Sequence, residues 1–254
     1  MKLVVIGGSG LIGSKVVRSL REQGHEVIAA SPSTGINAIT GEGLRDALEG
    51  TLVVVDVANS PSFEDRAVLE FFETSSRNLL AAEVEAGVGH HVALSIVGCD
   101  RIPDSGYMRA KVAQESLIRS ASVPYSIVRA TQFFEFVGPI ISQFPGDDQS
   151  VRVPAALFQP IASDDVAAAI VEAALGQPVN SMTDIAGPDR MPFAEFVRQH
   201  NPAHNDLRQI QTDSHARYFG AELREDSLVP LGKAKYGEVR FEEWLSRQAS
   251  AIAG

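Results

Sequence analysis

The run Leu3-Val4-Val5-Ile6-Gly7-Gly8-Ser9-Gly10-Leu11-Ile12-Gly13 decides the fold. Its first four residues are apolar and predict a buried strand. Leu11, Ile12, Val16, Val17 and Leu20 then recur at helical spacing. Between the two lie glycines at positions 7, 10 and 13. A strand, a glycine turn and a helix in that order serve three needs: a tight turn, close backbone approach to a pyrophosphate, and close contact between helix and strand. The helix N-terminus adds unpaired N–H groups and the positive end of its dipole. A glycine triplet alone is an ordinary turn. The readable strand before it and helix after it make this a dinucleotide-binding loop, with Gly7, Ser9, Gly10, Leu11, Ile12 and Gly13 as its expected contacts.

Outward from this loop, strands and helices alternate, which is the pattern of a parallel sheet covered on both faces. Strands are expected at 25–30, briefly near 37–39, and at 51–56, 91–95 and 124–129. Helices are expected at 42–48, at 63–87 with an interruption near Thr74-Ser75-Ser76, and at 107–121. The alternation then breaks at the aromatic segment Phe133-Phe134-Glu135-Phe136. A helix over 166–175, capped by Ser163-Asp164-Asp165, and a strand over 181–185 return the chain to the sheet. Beyond Gly187 a helix at 193–199 leads into a polar loop, and the last helix carries Phe241, Trp244 and Leu245 at helical spacing, a docking stripe. The expected architecture is α/β: a Rossmann-type doubly wound parallel sheet over residues 1–187, with 131–160 contributing to a substrate pocket, and a small C-terminal substrate cap over 188–254.

Composition narrows the partners. The chain has 254 residues and a formal net charge of −10. That charge makes nucleic acid or an anionic membrane surface a poor partner, so an anionic cofactor must be held locally. The single cysteine, Cys99, excludes an internal disulfide framework. With no stretch long enough to span a bilayer, the expectation is a cytoplasmic protein that acts on a small molecule.

Ser95 ends an expected strand, and Tyr107-Met108-Arg109-Ala110-Lys111 opens a helix soon after. Tyr107 and Lys111 at i and i+4 share one helical face. A glycine loop, then a serine at a strand end, then a Tyr–Lys helix: in this order the sequence resembles the short-chain dehydrogenase/reductase superfamily, specifically its atypical NmrA-like branch. The segments Arg129-Ala130-Thr131-Gln132-Phe133 and Ile161-Ala162-Ser163-Asp164-Asp165-Val166-Ala167 also look like parts of such proteins. The resemblance covers about residues 1 to 187. It implies that Tyr107 exchanges a proton with the substrate, that Lys111 binds the nicotinamide ribose, and that Ser95 orients the substrate oxygen. Asn78 is a candidate fourth member by location. Homo-oligomers through helix pairing are frequent in such proteins.

The electrostatics of that trio are sensible. Bringing a tyrosine from its free value near ~10 to neutrality asks for roughly 4 kcal/mol. A lysine charge about 4 Å away, at an effective dielectric near 20, supplies about that much.

The second strand ends in Ala29-Ala30-Ser31-Pro32-Ser33-Thr34-Gly35, where NAD-preferring sites place an acid. Hydroxyls without a carboxylate favour NADP, through Ser31, Ser33 and Thr34, with NAD the alternative. Ala58 and Asn59, just past the strand at 51–56, complete the expected cofactor set. Phe133, Phe134 and Tyr218 are the expected walls of an apolar substrate pocket. His90-His91 reads as a strand-entry pair and not a metal site, because no partner has ligand spacing. Asp164-Asp165 suits the first turn of a helix, and Cys99 is read as a buried thiol. The expected function is hydride transfer between NADP(H) and a small carbonyl or alcohol. A dinucleotide sensor without turnover is the alternative, and a nucleotide-sugar epimerase or dehydratase the third choice.

Overall fold

Alternate residues of the first strand serve opposite faces, because successive side chains of a strand point to opposite sides. In β1 (Lys2–Ile6), Leu3 and Val5 pack with Ile12, Val16 and Leu20 of α1 (Leu11–Glu22) and with Val166 and Ile170 of α6 (Ser163–Leu175). Val4 and Ile6 join Leu44 and Leu48 of α2 (Leu44–Leu48) and Leu79 of α3 (Asp65–Ala86) on the other face. A strand that must feed two cores reads as a continuous apolar run, as this one does.

The structure is a computed structural model and describes residues 1–147, 149–203 and 208–252. Its seven-stranded sheet runs β2-β1-β3-β4-β5-β8-β11, where β2 is Glu26–Ala30, β3 Val53–Asp56, β4 His90–Ile96, β5 Tyr125–Ala130, β8 Ser181–Ala186 and β11 Ala234–Tyr236. Every neighbouring pair is parallel, with Val5 in register with both Ala29 and Val55. The chain leaves β1 for β2 on one side and returns for β3 on the other. The crevice at that reversal, beyond the carboxyl ends of the strands, is where open α/β sheets bind ligands. The glycine loop leaves the end of β1 into it.

Three local expectations change. No strand forms at 37–39: Asn37 accepts the Ile39 N–H at 2.9 Å on its side chain and the Gly41 N–H at 2.8 Å on its carbonyl, which folds the segment into turns. Helix α3 runs unbroken through Ser75 and Ser76, both buried against its neighbours. Ser163 is the first residue of α6 and not its cap. Its hydroxyl donates to Glu135 at 2.5 Å, and Ala162 holds the cap position.

After β5 the chain builds a second core. Helices α5 (Val137–Ile141), α7 (Phe193–Ala203) and α8 (Phe241–Ile252) enclose it with β6 (Ser150–Pro154) and β7 (Leu157–Phe158). β6 pairs in parallel with β10 (Gln209–Asp213), and β7 pairs antiparallel with β9 (Met191–Pro192). Rings of Phe134, Phe158, Phe193, Phe196 and Phe241 meet at 4.1 to 6.5 Å between centroids. The Phe241 and Trp244 stripe docks α8 here. Helix α7 runs past Gln199 to Ala203, so the expected polar loop begins later; residues 204–207 lie outside the described residues. Among the described residues no helix is long and apolar enough to cross a membrane.

Candidate active site

The glycine loop is built by close approach. Gly7 and Gly8 donate their N–H groups to the Ala30 carbonyl at 2.9 and 3.2 Å, which locks the loop to the end of β2. Gly7 sits at φ +78°, a conformation that favours glycine. A Cβ there would meet the Ala58 backbone at 2.9 Å, one at Gly8 would meet Ala29 at 2.8 Å, and one at Gly13 would fall onto the Gly7 carbonyl oxygen. These three glycines are required by the protein's own packing. Gly10 is less constrained: a Cβ there meets only the Gly7 oxygen, at a tight 3.3 Å. Its bare backbone caps α1, whose first turn holds no acid and no side-chain cap. An open backbone at an uncapped helix N-terminus fits a phosphate group.

At the end of β2 the hydroxyls engage one another. Ser31 and Ser33 share a hydrogen bond of 2.8 Å, and the Thr34 hydroxyl accepts the Ser31 N–H at 3.0 Å. No carboxylate intervenes in the segment from Ser31 to Gly35.

Past β3, the loop that carries Asn59 meets α4 (Gly106–Ser120). The Tyr107 hydroxyl donates to Asn59 Oδ1 at 3.0 Å, so two of the expected site residues are brought into direct contact. Around the phenol stand Phe63 at 5.2 Å, Phe219 at 6.0 Å and Phe72 at 6.2 Å between ring centroids. Burial pushes Tyr107 up to about 12, against a smaller opposing effect of the Asn59 hydrogen bond. This reverses the direction expected from the Tyr–Lys spacing.

Lys111 does not counter that burial, because its ammonium is engaged elsewhere. Its ammonium donates to the Leu94 carbonyl at 2.9 Å and to Gln114 Oε1, and it lies 4.4 Å from the centre of the Phe72 ring. Gln114 in turn donates to Asp56 Oδ2 at 2.9 Å, and Asp56 Oδ1 accepts the Ala58 N–H at 3.1 Å. Burial lowers the Lys111 pKa, and Asp56 offsets part of that. The charge is therefore tied to the end of β3. Asp56 and Gln114 escaped the sequence reading, although an aspartate closing a wholly apolar strand was a visible signal.

Ser95 also points elsewhere. Its hydroxyl donates to Glu115 Oε1 at 2.6 Å, and Arg129 grips both Glu115 oxygens, Nε to Oε1 at 2.8 Å and Nη2 to Oε2 at 2.6 Å. Hydrogen bonding to Glu115 raises the already high Arg129 pKa. Cys99 is buried beside the same carboxylate, and burial pushes its thiol up to about 12, which leaves it unreactive.

Of the expected pocket walls, Phe134 is 3% exposed and packs on Phe241 and Trp244 in the second core, so it is not a wall. Phe133 is half-buried and stacks on Phe136 at 5.6 Å. Tyr218 is buried, 4.8 Å from the ring of Phe219. Asn78 lies outside the group: its amide donates to the Ala38 and Ile39 carbonyls at 2.9 and 2.8 Å and tethers the turn after β2. His90 and His91 sit at the start of β4, bonded to Ser126 and Glu83 respectively.

A parallel sheet with a glycine loop at its switch point and a tyrosine facing the same edge defines a dinucleotide-binding protein. The chain belongs to the NAD(P)H-binding family, which matches residues 7–177. It is 27% identical over 222 residues to a chloroplastic divinyl chlorophyllide a 8-vinyl-reductase of Oryza sativa subsp. indica, covering 74% of this chain and 55% of the relative. It is 25% identical over 149 residues to the photosystem II assembly factor Ycf39 of Synechocystis sp., covering 53% of this chain and 46% of the relative. The chain thus spans about half the length of the curated relatives it matches. Among solved structures, MoeE5 in complex with UDP-glucose and NAD superposes with a TM-score of 0.75 at 19% identity, covering 100% of this chain and 99% of that one. A UDP-N-acetylglucosamine 4-epimerase from Bacillus cereus superposes at 0.71 with 16% identity, covering 100% and 97%. These likenesses establish the fold.

Proposed function

We propose that the protein is an NAD(P)-dependent reductase in which Tyr107 donates a proton to a substrate carbonyl oxygen. The observation that carries this reading is the Tyr107 hydroxyl, hydrogen-bonded to Asn59 beside the cofactor crevice and held protonated by burial up to about 12. A phenol protonated at neutral pH carries the proton that reduction consumes, but a pKa raised to about 12 makes it a weaker acid than an ordinary tyrosine, so the placement of the hydroxyl and not its pKa supports the reading. A bound reduced dinucleotide supplies the hydride for the carbonyl carbon, while Tyr107 supplies the proton for the oxygen and recovers its own from water. The glycine loop from Gly7 to Gly13 would hold the pyrophosphate, Lys111 and Asn59 the nearer ribose, and Ser31, Ser33 and Thr34 the adenosine end. The turn after β2 offers hydroxyls and no acid, which supports NADP over NAD. Residues 131–160 and 188–254 supply the substrate wall in this reading, and relatives named as reductases support it.

One observation favours a second reading, a dinucleotide-binding regulator without turnover: the Ser95 hydroxyl is committed to Glu115. Relatives named as assembly factors agree with that reading. Titration with NADPH and NADH, followed by a panel of carbonyl substrates, separates the two. The reductase reading expects turnover in the parent, NADPH affinity kept within a few-fold in Tyr107→Phe, and a rate loss there of ~10² to 10⁴. Tight NADPH binding without reduction of any carbonyl, or an undiminished rate in Tyr107→Phe, selects the regulator.

A further inference from the structure

We propose that Tyr218, and not Ser95, gives the second hydrogen bond to the substrate oxygen, that Gln132 orients it, and that the substrate is a flat conjugated carbonyl compound. This inference rests on the reductase reading above. The Ser95 proton is held in a charge-assisted bond of 2.6 Å to a carboxylate already gripped by Arg129, and turning it to a substrate would break that buried network. Tyr218 is tied to no carboxylate: it is a buried member of the second core, and the Gln132 side chain lies beside its hydroxyl. It is 3% exposed, fixed by a tight turn in which Tyr218 and Ala221 exchange backbone hydrogen bonds of 2.8 and 3.1 Å. Phe219 connects it to the site, with its ring 4.8 Å from Tyr218 and 6.0 Å from Tyr107. The phenols are close enough that the charge of an ionised Tyr107 raises the Tyr218 pKa, after the larger effect of burial.

Gln132 makes this pair unusual. The residue is 8% exposed, neither Nε2 nor Oε1 meets a partner at full hydrogen-bond geometry, and its side chain lies close enough to the Tyr218 hydroxyl to pull that group's pKa down against the larger effect of burial. Its backbone is pinned by the Ile161 N–H at 2.8 Å. A buried amide with two unmet bonds is costly, and native proteins keep such groups where something completes them. Its lowering effect on the Tyr218 pKa is that of a donor facing the phenol oxygen, and Nε2 in that role leaves the Tyr218 proton free for the substrate. The substrate oxygen then lies between two phenols. Tyr107 transfers its proton to it, and Tyr218 shares its own without losing it.

The walls set the substrate's shape. Phe63 and Phe219 flank the Tyr107 ring and lie 5.8 Å from each other, and Phe63 is 54% exposed, so the site opens on that side. Aromatic rings prefer offset or edge contact with another flat π-system, which selects a quinone or aryl carbonyl over a branched aliphatic ketone.

The test uses the full chain with NADPH, a flat quinone and a branched aliphatic ketone, in the parent and in Tyr218→Phe, Ser95→Ala and Gln132→Met. A second readout needs no turnover: binding of p-nitrophenolate, a flat oxyanion mimic, followed by its absorbance. Tyr218→Phe is expected to lose at least tenfold in kcat/KM for the quinone and tenfold in p-nitrophenolate affinity, with NADPH affinity within twofold. Ser95→Ala should lose less than Tyr218→Phe in both. Gln132→Met should lower kcat more than it raises KM, and it carries the comparison if Tyr218→Phe does not fold. A larger loss in Ser95→Ala, an unchanged Tyr218→Phe, or a preference for the aliphatic ketone overturns the proposal and leaves the reductase reading intact. A parent that reduces nothing yet binds p-nitrophenolate through Tyr218 removes the reductase reading and supports the two-phenol site. A parent that does neither removes both.

Discussion

The glycine loop and the surroundings of Tyr107 face the same crevice, but they are made in opposite ways. The loop is seven consecutive residues whose shape follows from backbone contacts: each of Gly7, Gly8 and Gly13 has a named backbone or Cβ neighbour that a side chain would strike. The surroundings of Tyr107 draw Asn59 and Phe63 from beyond β3, Phe72 from α3 and Phe219 from the C-terminal segment, and the proposed partners Gln132 and Tyr218 come from beyond β5 and from that same segment. No window of sequence contains them. A contiguous site is specified by short-range sterics, while an assembled one depends on every element that delivers a residue to it.

That difference predicts how each region breaks. The largest effect belongs to the core beneath the assembled site. Phe134→Ala removes a ring that meets Phe196, Phe241 and Trp244 at 6.5, 5.1 and 5.6 Å. The expected cost is about 3–5 kcal/mol, read as a lower urea midpoint, with NADPH affinity of the folded fraction unchanged. A variant of parental stability whose substrate preference shifts instead would return Phe134 to the pocket wall.

Within the loop the two terminal glycines of Gly10-Leu11-Ile12-Gly13 separate folding from binding. Gly13→Ala drives a methyl group into the Gly7 carbonyl and should cost about 1–3 kcal/mol, seen as a fall in Tm. Gly10→Ala is milder: its Cβ meets that same oxygen at 3.3 Å, a tight contact relieved by a shift of a few tenths of an ångström, and its φ of −79° suits alanine. Its Tm should fall less than that of Gly13→Ala, while NADPH affinity drops tenfold or more, about 1.4 kcal/mol. Equal Tm losses in both would show that Gly10 also serves packing and weaken the phosphate assignment.

The same contrast explains what could be read in advance. The strand, loop and helix of residues 3–20 were legible because periodicity and glycine spacing are local, and the parallel alternation through β5 followed from them. Tyr107 was legible by its spacing from Lys111, yet its electrostatics were not. Spacing puts two side chains on one face of a helix and says nothing about a third group, here Gln114, that takes one of them away. Ser95 was placed correctly at the end of β4, but its partner Glu115 lies twenty residues on and is identified only by the packing of α4 on the sheet. Phe134 and Tyr218 looked alike as aromatic residues outside the regular pattern. Both are buried in the second core, and what sets Tyr218 apart is the Gln132 amide beside its hydroxyl.

The smallest expected effect tests the other end of β4, away from the crevice, where two adjacent histidines carry opposite pH dependences. Burial, with a smaller push from His91, lowers His90 to about 4. For His91 burial also pulls downward, but the Glu83 carboxylate, 2.8 Å from Nδ1, outweighs it and raises the pKa. A depressed group costs stability when the unfolded chain takes up a proton that the folded chain refuses. His90 therefore destabilises the protein as pH falls from its ordinary value near ~6.5 toward about 4. His91 has the other sign: its contribution is complete below its ordinary value and is lost as pH rises through its raised one. His90→Asn keeps a polar partner for the Ser126 hydroxyl and removes the acid-side loss. Its urea midpoint should decline less steeply than the parent's between pH 6.5 and 4, with the two curves nearly parallel above pH 7. Superimposable acid limbs would mean that His90 stays accessible to protons in the folded protein, and that the amino end of the sheet is less tightly closed than the crevice at its carboxyl end.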